Sequence, residues 1–141
     1  MKYIFEDSIG MLSAQVSRKL GKGLEKQFAE NGFSLNSIEW TSISYLANKG
    51  SQTQNQLVNT TGKNKVYIKR LVDKLENNGL VSRNTSDSDK RYNNIILTEK
   101  GIEYYNELLP IVENYMDKTC NINELERVDT IALLKKILEN I

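Results

Sequence analysis

A mainly α-helical fold with one small β-hairpin, an α+β arrangement, is predicted from three features of the 141-residue sequence. Around residues 65–76, Ile68, Leu71, Val72 and Leu75 recur at three- and four-residue spacing and form one apolar stripe, while the opposite side is cationic. That segment is preceded by a short capped helix and followed by two β-prone runs around a polar tip. Both ends of the chain carry further helical periodicity, with more apolar surface than one small core needs. Helix, turn, basic helix and hairpin describe a winged helix-turn-helix, and the N- and C-terminal helices are left to dimerise.

Taken in order, residues 1–31 read as a first helix, with Ile4, Phe5, Ile9, Leu12, Val16, Leu20, Leu24 and Phe28 at roughly helical spacing. Gly21 and Gly23 are expected to weaken or bend it, and Asn31-Gly32 supplies the stop. A second helix starts at Asn36, in capping-box register with Glu39; Trp40, Ile43 and Leu46 face inward. By burial statistics Trp40 is more often a core residue than a ligand contact. Ser51 with Gln54, or Thr53 with Gln56, can cap a short third helix that Thr61-Gly62 ends. Asn64 can cap the basic helix and Gly79 can close it. Its outer side holds Val66, Lys69 and Arg70, flanked by Lys65, Tyr67 and Lys74, with only Asp73 opposing them. Taken alone, such a face is more often a solvated surface than a binding one. Leu80-Val81-Ser82-Arg83 and Tyr92-Asn93-Asn94-Ile95-Ile96-Leu97 are strand-like and surround the polar run 84–91. A long helix from Thr98 to around Lys118 follows, and Pro110 in its interior is expected to bend it at a cost of ~3 kcal/mol. After an interruption at Asn121-Ile122-Asn123-Glu124, a last helix runs to around Glu139 and carries Leu125, Val128, Ile131, Leu134, Ile137 and Leu138.

Composition removes several function classes. With no histidine and one cysteine, Cys120, the chain lacks the usual zinc ligand sets, His-based triads and an internal disulfide. No metal, cofactor or enzymatic activity is expected. No run of eighteen apolar residues and no signal-like N-terminus are present, so a cytoplasmic protein without membrane association is expected. Net charge is only +1, yet residues 63–91 hold eight Lys/Arg against four Asp/Glu, whereas residues 92–141 hold five against nine. Positive charge is concentrated on the segment carrying the basic helix and hairpin, the pattern of a nucleic-acid footprint.

Thr61-Gly62-Lys63-Asn64-Lys65, then Lys69-Arg70-Leu71-Val72-Asp73-Lys74-Leu75-Glu76, Gly79-Leu80-Val81, Asp89-Lys90-Arg91 and Leu97-Thr98-Glu99-Lys100-Gly101 resemble, in that order and spacing, the signatures of the MarR family of bacterial transcriptional regulators. The resemblance implies a single domain over 1–141, with a DNA-binding lobe around 36–98, a helix-turn-helix around 53–76 and dimerisation helices around 1–31 and 99–141. It further implies a homodimer that binds double-stranded DNA on a pseudo-palindromic operator, most often as a repressor. The two recognition helices would enter successive major grooves ~34 Å apart. The wing has Lys90 where an arginine is common, and Val66-Tyr67 stand in place of small hydroxyl residues, which bears on the preferred DNA sequence.

On that reading Lys69 and Arg70 reach base edges or phosphates, Val66 meets thymine methyls, and Tyr67 meets a phosphate. Lys63, Lys65 and Lys74 bind phosphates, with Asn64 beside them at the helix start; Ser51, Thr53 and Gln54 offer amides and hydroxyls for another phosphate. At the wing, Asp89 orients Arg91, and Lys90 or Arg91 enters the minor groove. The family binds small effectors in the cleft between the first, second and fifth helices, which nominates Leu12, Val16, Trp40, Ile43 and Tyr105 for an apolar or aromatic molecule. Cys120 has Lys118 nearby but Asp117 offsets it, so a redox switch there is not favoured. The alternatives are a winged-helix module that binds protein and an enzyme working with carboxylates or lysine alone.

Overall fold

The structure is a computed structural model of the full chain; it describes the backbone of residues 1–86 and 89–141 and the side chains of residues 1–84 and 94–141. Six α-helices and three strands follow one another among the described residues: α1 (Ile9–Glu30), α2 (Ser37–Lys49), β1 (Gln52–Thr53), α3 (Gln54–Thr61), α4 (Lys65–Asn77), β2 (Val81–Ser86), β3 (Asp89–Leu97), α5 (Glu99–Cys120) and α6 (Glu124–Glu139). The strands form one antiparallel sheet in the order β1-β3-β2. This is the mainly helical, winged helix-turn-helix arrangement the sequence predicts.

Helix starts are set by side-chain caps. Asn36 Oδ1 accepts the Glu39 amide at 2.8 Å, and Glu39 closes the expected capping box. Of the two boxes open before α3, the chain uses Thr53 with Gln56, whose side chains satisfy each other's backbone amides at 3.1 and 2.8 Å. The first helix begins later than predicted. Ser8 Oγ accepts the Met11 amide and starts α1 at Ile9, and Phe5–Asp7 form a separate 3-10 turn ahead of it. Gly21 and Gly23 lie inside α1 without interrupting it; Gly23 gives room to the Tyr115 hydroxyl of α5, which an added Cβ would overlap. The two-residue strand β1 was not anticipated. It exists because Gln52 and Thr53 pair with Ile95 and Asn94 of β3, which ties the start of the helix-turn-helix to the wing. Helix α5 likewise runs unbroken through Pro110; Asn106, whose carbonyl loses its partner there, is exposed and can be hydrated.

The core joins all layers of the lobe: Leu24 and Phe28 of α1, Ile43 and Leu46 of α2, Leu57 of α3, the α4 stripe, Leu80, Val81 and Ile95 around the sheet, and Leu108 of α5. Two features fix α4 within it. Its end is a Schellman turn, in which Leu80 N–H bonds to the Leu75 carbonyl and Gly79, at φ +75°, bonds to Glu76. The start of α5 then docks on that turn. Thr98 Oγ1 donates to the Gly79 carbonyl, Lys100 Nζ donates to Asn78 O at 2.9 Å, and an added Cβ at Gly101 would overlap the Leu80 carbonyl. By contrast, the N-terminal segment and α6 expose Tyr3, Ile4, Phe5, Ile9, Leu125, Leu133 and Leu138. No helix among the described residues is long and apolar enough to cross a membrane.

Candidate nucleic-acid interface

Helix α4 presents the candidate surface because its two sides are chemically opposite. Ile68, Leu71, Val72 and Leu75 are buried against the core, which turns Lys65, Val66, Lys69 and Arg70 outward. Asn64 Oδ1 accepts the Tyr67 amide at 2.8 Å, so this nominated residue serves as the cap that starts the helix. Lys63 lies 5.5 Å from the centroid of the Tyr67 ring, a cation–π contact that holds both beside the first turn. Val66 is 60% exposed, an apolar group facing solvent amid cations. Arg70 makes no ion pair among the described residues.

Two lysines are engaged within the chain. Lys69 Nζ lies 3.0 Å from Asp73, and Lys74 Nζ lies 3.2 Å from Glu39, whose carboxylate is buried beneath α4. Near the start of α3 the Thr53 hydroxyl and amide are engaged in its capping box, so of the three residues nominated there the exposed Ser51 and the half-buried Gln54 are the ones whose side chains stay open to solvent. The wing residues Asp89, Lys90 and Arg91 have side chains outside the described residues.

One charged cluster was missed by sequence reasoning. Arg83 of β2 donates Nη2 to Asp73 at 2.6 Å and Nη1 to Glu76 at 2.9 Å, tying the wing strand to α4. The bond from Lys69, then that from Arg83, holds the Asp73 carboxyl below its usual range. The available signal was the three-residue spacing of Asp73 and Glu76, which puts two carboxylates on one helix side and calls for a cation.

The nominated effector residues divide. Trp40 stacks on Tyr105 with ring centroids 5.5 Å apart and planes 8° apart, and it also meets Phe28 at 5.9 Å. Asn48 Nδ2 donates to the Tyr105 hydroxyl at 3.2 Å. Ile43 is sealed in the core, whereas Leu12 and Val16 are exposed on the N-terminal half of α1. The structure therefore brings Trp40 and Tyr105 into contact and leaves Leu12 and Val16 facing solvent in the single chain. Cys120 is exposed at the end of α5.

A MarR family model matches residues 33–91, the stretch from α2 to the wing. The chain is 25% identical over 107 residues to the transcriptional repressor NicR of Pseudomonas putida, spanning 75% of this chain and 68% of that one. The crystal structure of transcriptional regulator PA3341 superposes with a TM-score of 0.80 at 30% identity, covering 94% of this chain and 97% of that one. BpsR of Bordetella bronchiseptica, whose DNA binding is regulated by 6-hydroxynicotinic acid, shares the fold with a TM-score of 0.78 at 20% identity over 97% of both chains. Ordered motifs, a three-stranded winged lobe and matches that run nearly end to end lead to one assignment: the chain belongs to the MarR family.

Proposed function

We propose that the protein is a sequence-specific DNA-binding transcriptional regulator acting as a homodimeric repressor. The observation that carries this reading is the cationic outer face of α4, set directly opposite a buried stripe, so that what the helix shows to solvent is determined by how it packs. Lys65, Val66, Lys69 and Arg70 form the groove-facing set and Lys63 and Tyr67 border it, while Lys90 and Arg91, whose side chains lie outside the described residues, stay candidates for the minor groove on the strength of the sequence. On this reading residues 36–98 are the DNA-binding lobe, and residues 1–31 and 99–141 are dimerisation helices.

The homodimer is supported by the exposed apolar residues at both ends, since Phe5, Ile9, Leu12 and Val16 and then Leu125, Val128, Leu134 and Leu138 have no cover within one chain. A two-fold dimer would put two α4 helices on one face, ~34 Å apart, for a pseudo-palindromic site. Release by a small aromatic molecule is supported by the Trp40–Tyr105 stack at the junction of α2 and α5, and by the regulation of BpsR. The test is selection of bound duplexes from random DNA. Enrichment of a palindrome with halves about one helical turn apart is the expected result. No enrichment, with retained capture of a protein partner, would leave a winged-helix interaction module instead.

A further inference from the structure

Helix α4 carries two carboxylates that DNA binding leaves unexplained. Asp73 and Glu76 lie one turn apart, next to a surface that attracts phosphate. Uncompensated negative charge there would oppose a polyanion. Arg83 supplies the compensation, with one guanidinium nitrogen on each carboxylate at 2.6 and 2.9 Å. Its side chain is 18% exposed, and both terminal nitrogens are occupied by these bonds, so it is poorly disposed to reach a phosphate. The strand beneath it is fixed as well, because Arg83 is paired in register with Ile95, a fully buried residue of the central strand. The contact thus joins two rigid elements through the fork geometry that arginine, unlike lysine, presents.

We propose that Arg83 is a positioning residue for DNA readout: it sets the orientation of α4 against the wing and neutralises Asp73 and Glu76, without touching DNA. The inference rests on the DNA-binding reading above. Lys69 adds a second consequence, since its ammonium shares Asp73 with Arg83. With Arg83 in place, Asp73 keeps a partner when Lys69 leaves for a phosphate. Without Arg83, the carboxylate retains Lys69, and the helix loses both its alignment and a DNA contact. Asp73 and Glu76 are 41% and 42% exposed, which limits what the two pairs add to stability, so the effect falls more on recognition than on folding.

The experiment compares two duplexes of equal length, one selected from random DNA by the wild-type protein and one with its sequence shuffled. Arg83→Ala is expected to weaken binding of the selected duplex by about tenfold or more and of the shuffled one by less than about threefold, with a cooperative melt that stays above the assay temperature. Asp73→Leu/Glu76→Met, which removes the acceptors while roughly keeping side-chain size, should collapse the same ratio while shuffled-duplex affinity holds or rises. Arg83→Lys should recover part of the ratio. A selected-to-shuffled ratio within about twofold of wild type in Arg83→Ala or in the double variant overturns the proposal. So does an equal loss on both duplexes with a salt slope shallower by about one, which would make Arg83 a phosphate contact. A wild-type protein that selects no duplex overturns the DNA-binding reading itself, and this inference with it.

Discussion

Arg70 and Lys74 stand one turn apart on α4, and the structure gives them different employment. Arg70 points to solvent, whereas Lys74 reaches back to Glu39, a carboxylate only 6% exposed. Replacing Arg70 with alanine is therefore expected to weaken operator binding by ~1–3 kcal/mol without lowering the melting temperature, as measured by titration and calorimetry on the same samples. Glu39→Gln keeps the capping box, which glutamine also supports, and removes the negative charge that holds the Lys74 ammonium, leaving it only a neutral acceptor. Its expected signature is a DNA-binding salt slope steeper by about one, because Lys74 can then reach a phosphate; an unchanged slope would show that the lysine never competes for DNA. The outward direction of Arg70 was legible from the helical wheel alone. The roles of Lys74 and Arg83 were not, since their partners lie on other elements, and a wheel records only neighbours three and four residues apart.

Elements were legible where their signals are local. Asn36, Asn64 and Thr98 each cap the helix predicted to follow them, and the α4 stripe is buried residue for residue. Strand β1 was invisible because two residues carry no periodicity, and its identity comes from pairing with β3, more than forty positions away. The glycines of α1 and α5 show the same limit. Gly23 looked like a weakness in a helix, but it makes room for Tyr115, and Gly101 lies against the Leu80 carbonyl. The two sites should respond unequally to alanine. At Gly101 the obstacle is backbone, so destabilisation in the upper part of the ~1–3 kcal/mol range of overpacked sites is expected. At Gly23 the obstacle is a hydroxyl at the end of a half-buried side chain that can turn aside, so the cost should be smaller. Denaturant melts of the two variants check the order, and equal costs would mean that Tyr115 is held as firmly as backbone.

At the scale of the whole molecule, a well-packed lobe is flanked by two poorly covered ends. Phe28, Leu57, Ile68, Val72, Ile95 and Leu108 are fully buried, yet α6 buries none of its residues. Such a chain is expected to melt at a temperature that rises with protein concentration, with a dimeric mass in sedimentation. Truncation before Asn123 should remove the concentration dependence and DNA binding together. A monomer melting independently of concentration would refute the dimer.

The docking of α5 on the end of α4 also has a kinematic meaning. Thr98, Lys100 and Gly101 bolt the first turn of α5 to the Asn78-Gly79-Leu80 corner, so that corner is a pivot shared by the two helices. Helix α5 has 22 residues and is therefore a lever about 33 Å long. Rocking it by about 5° about that corner carries its far end, near Cys120, through about 3 Å. The same rigid joint works in reverse, so in the proposed homodimer a shift of that size imposed where the two copies meet would turn both α4 helices by the same small angle and change the separation proposed for them along a duplex.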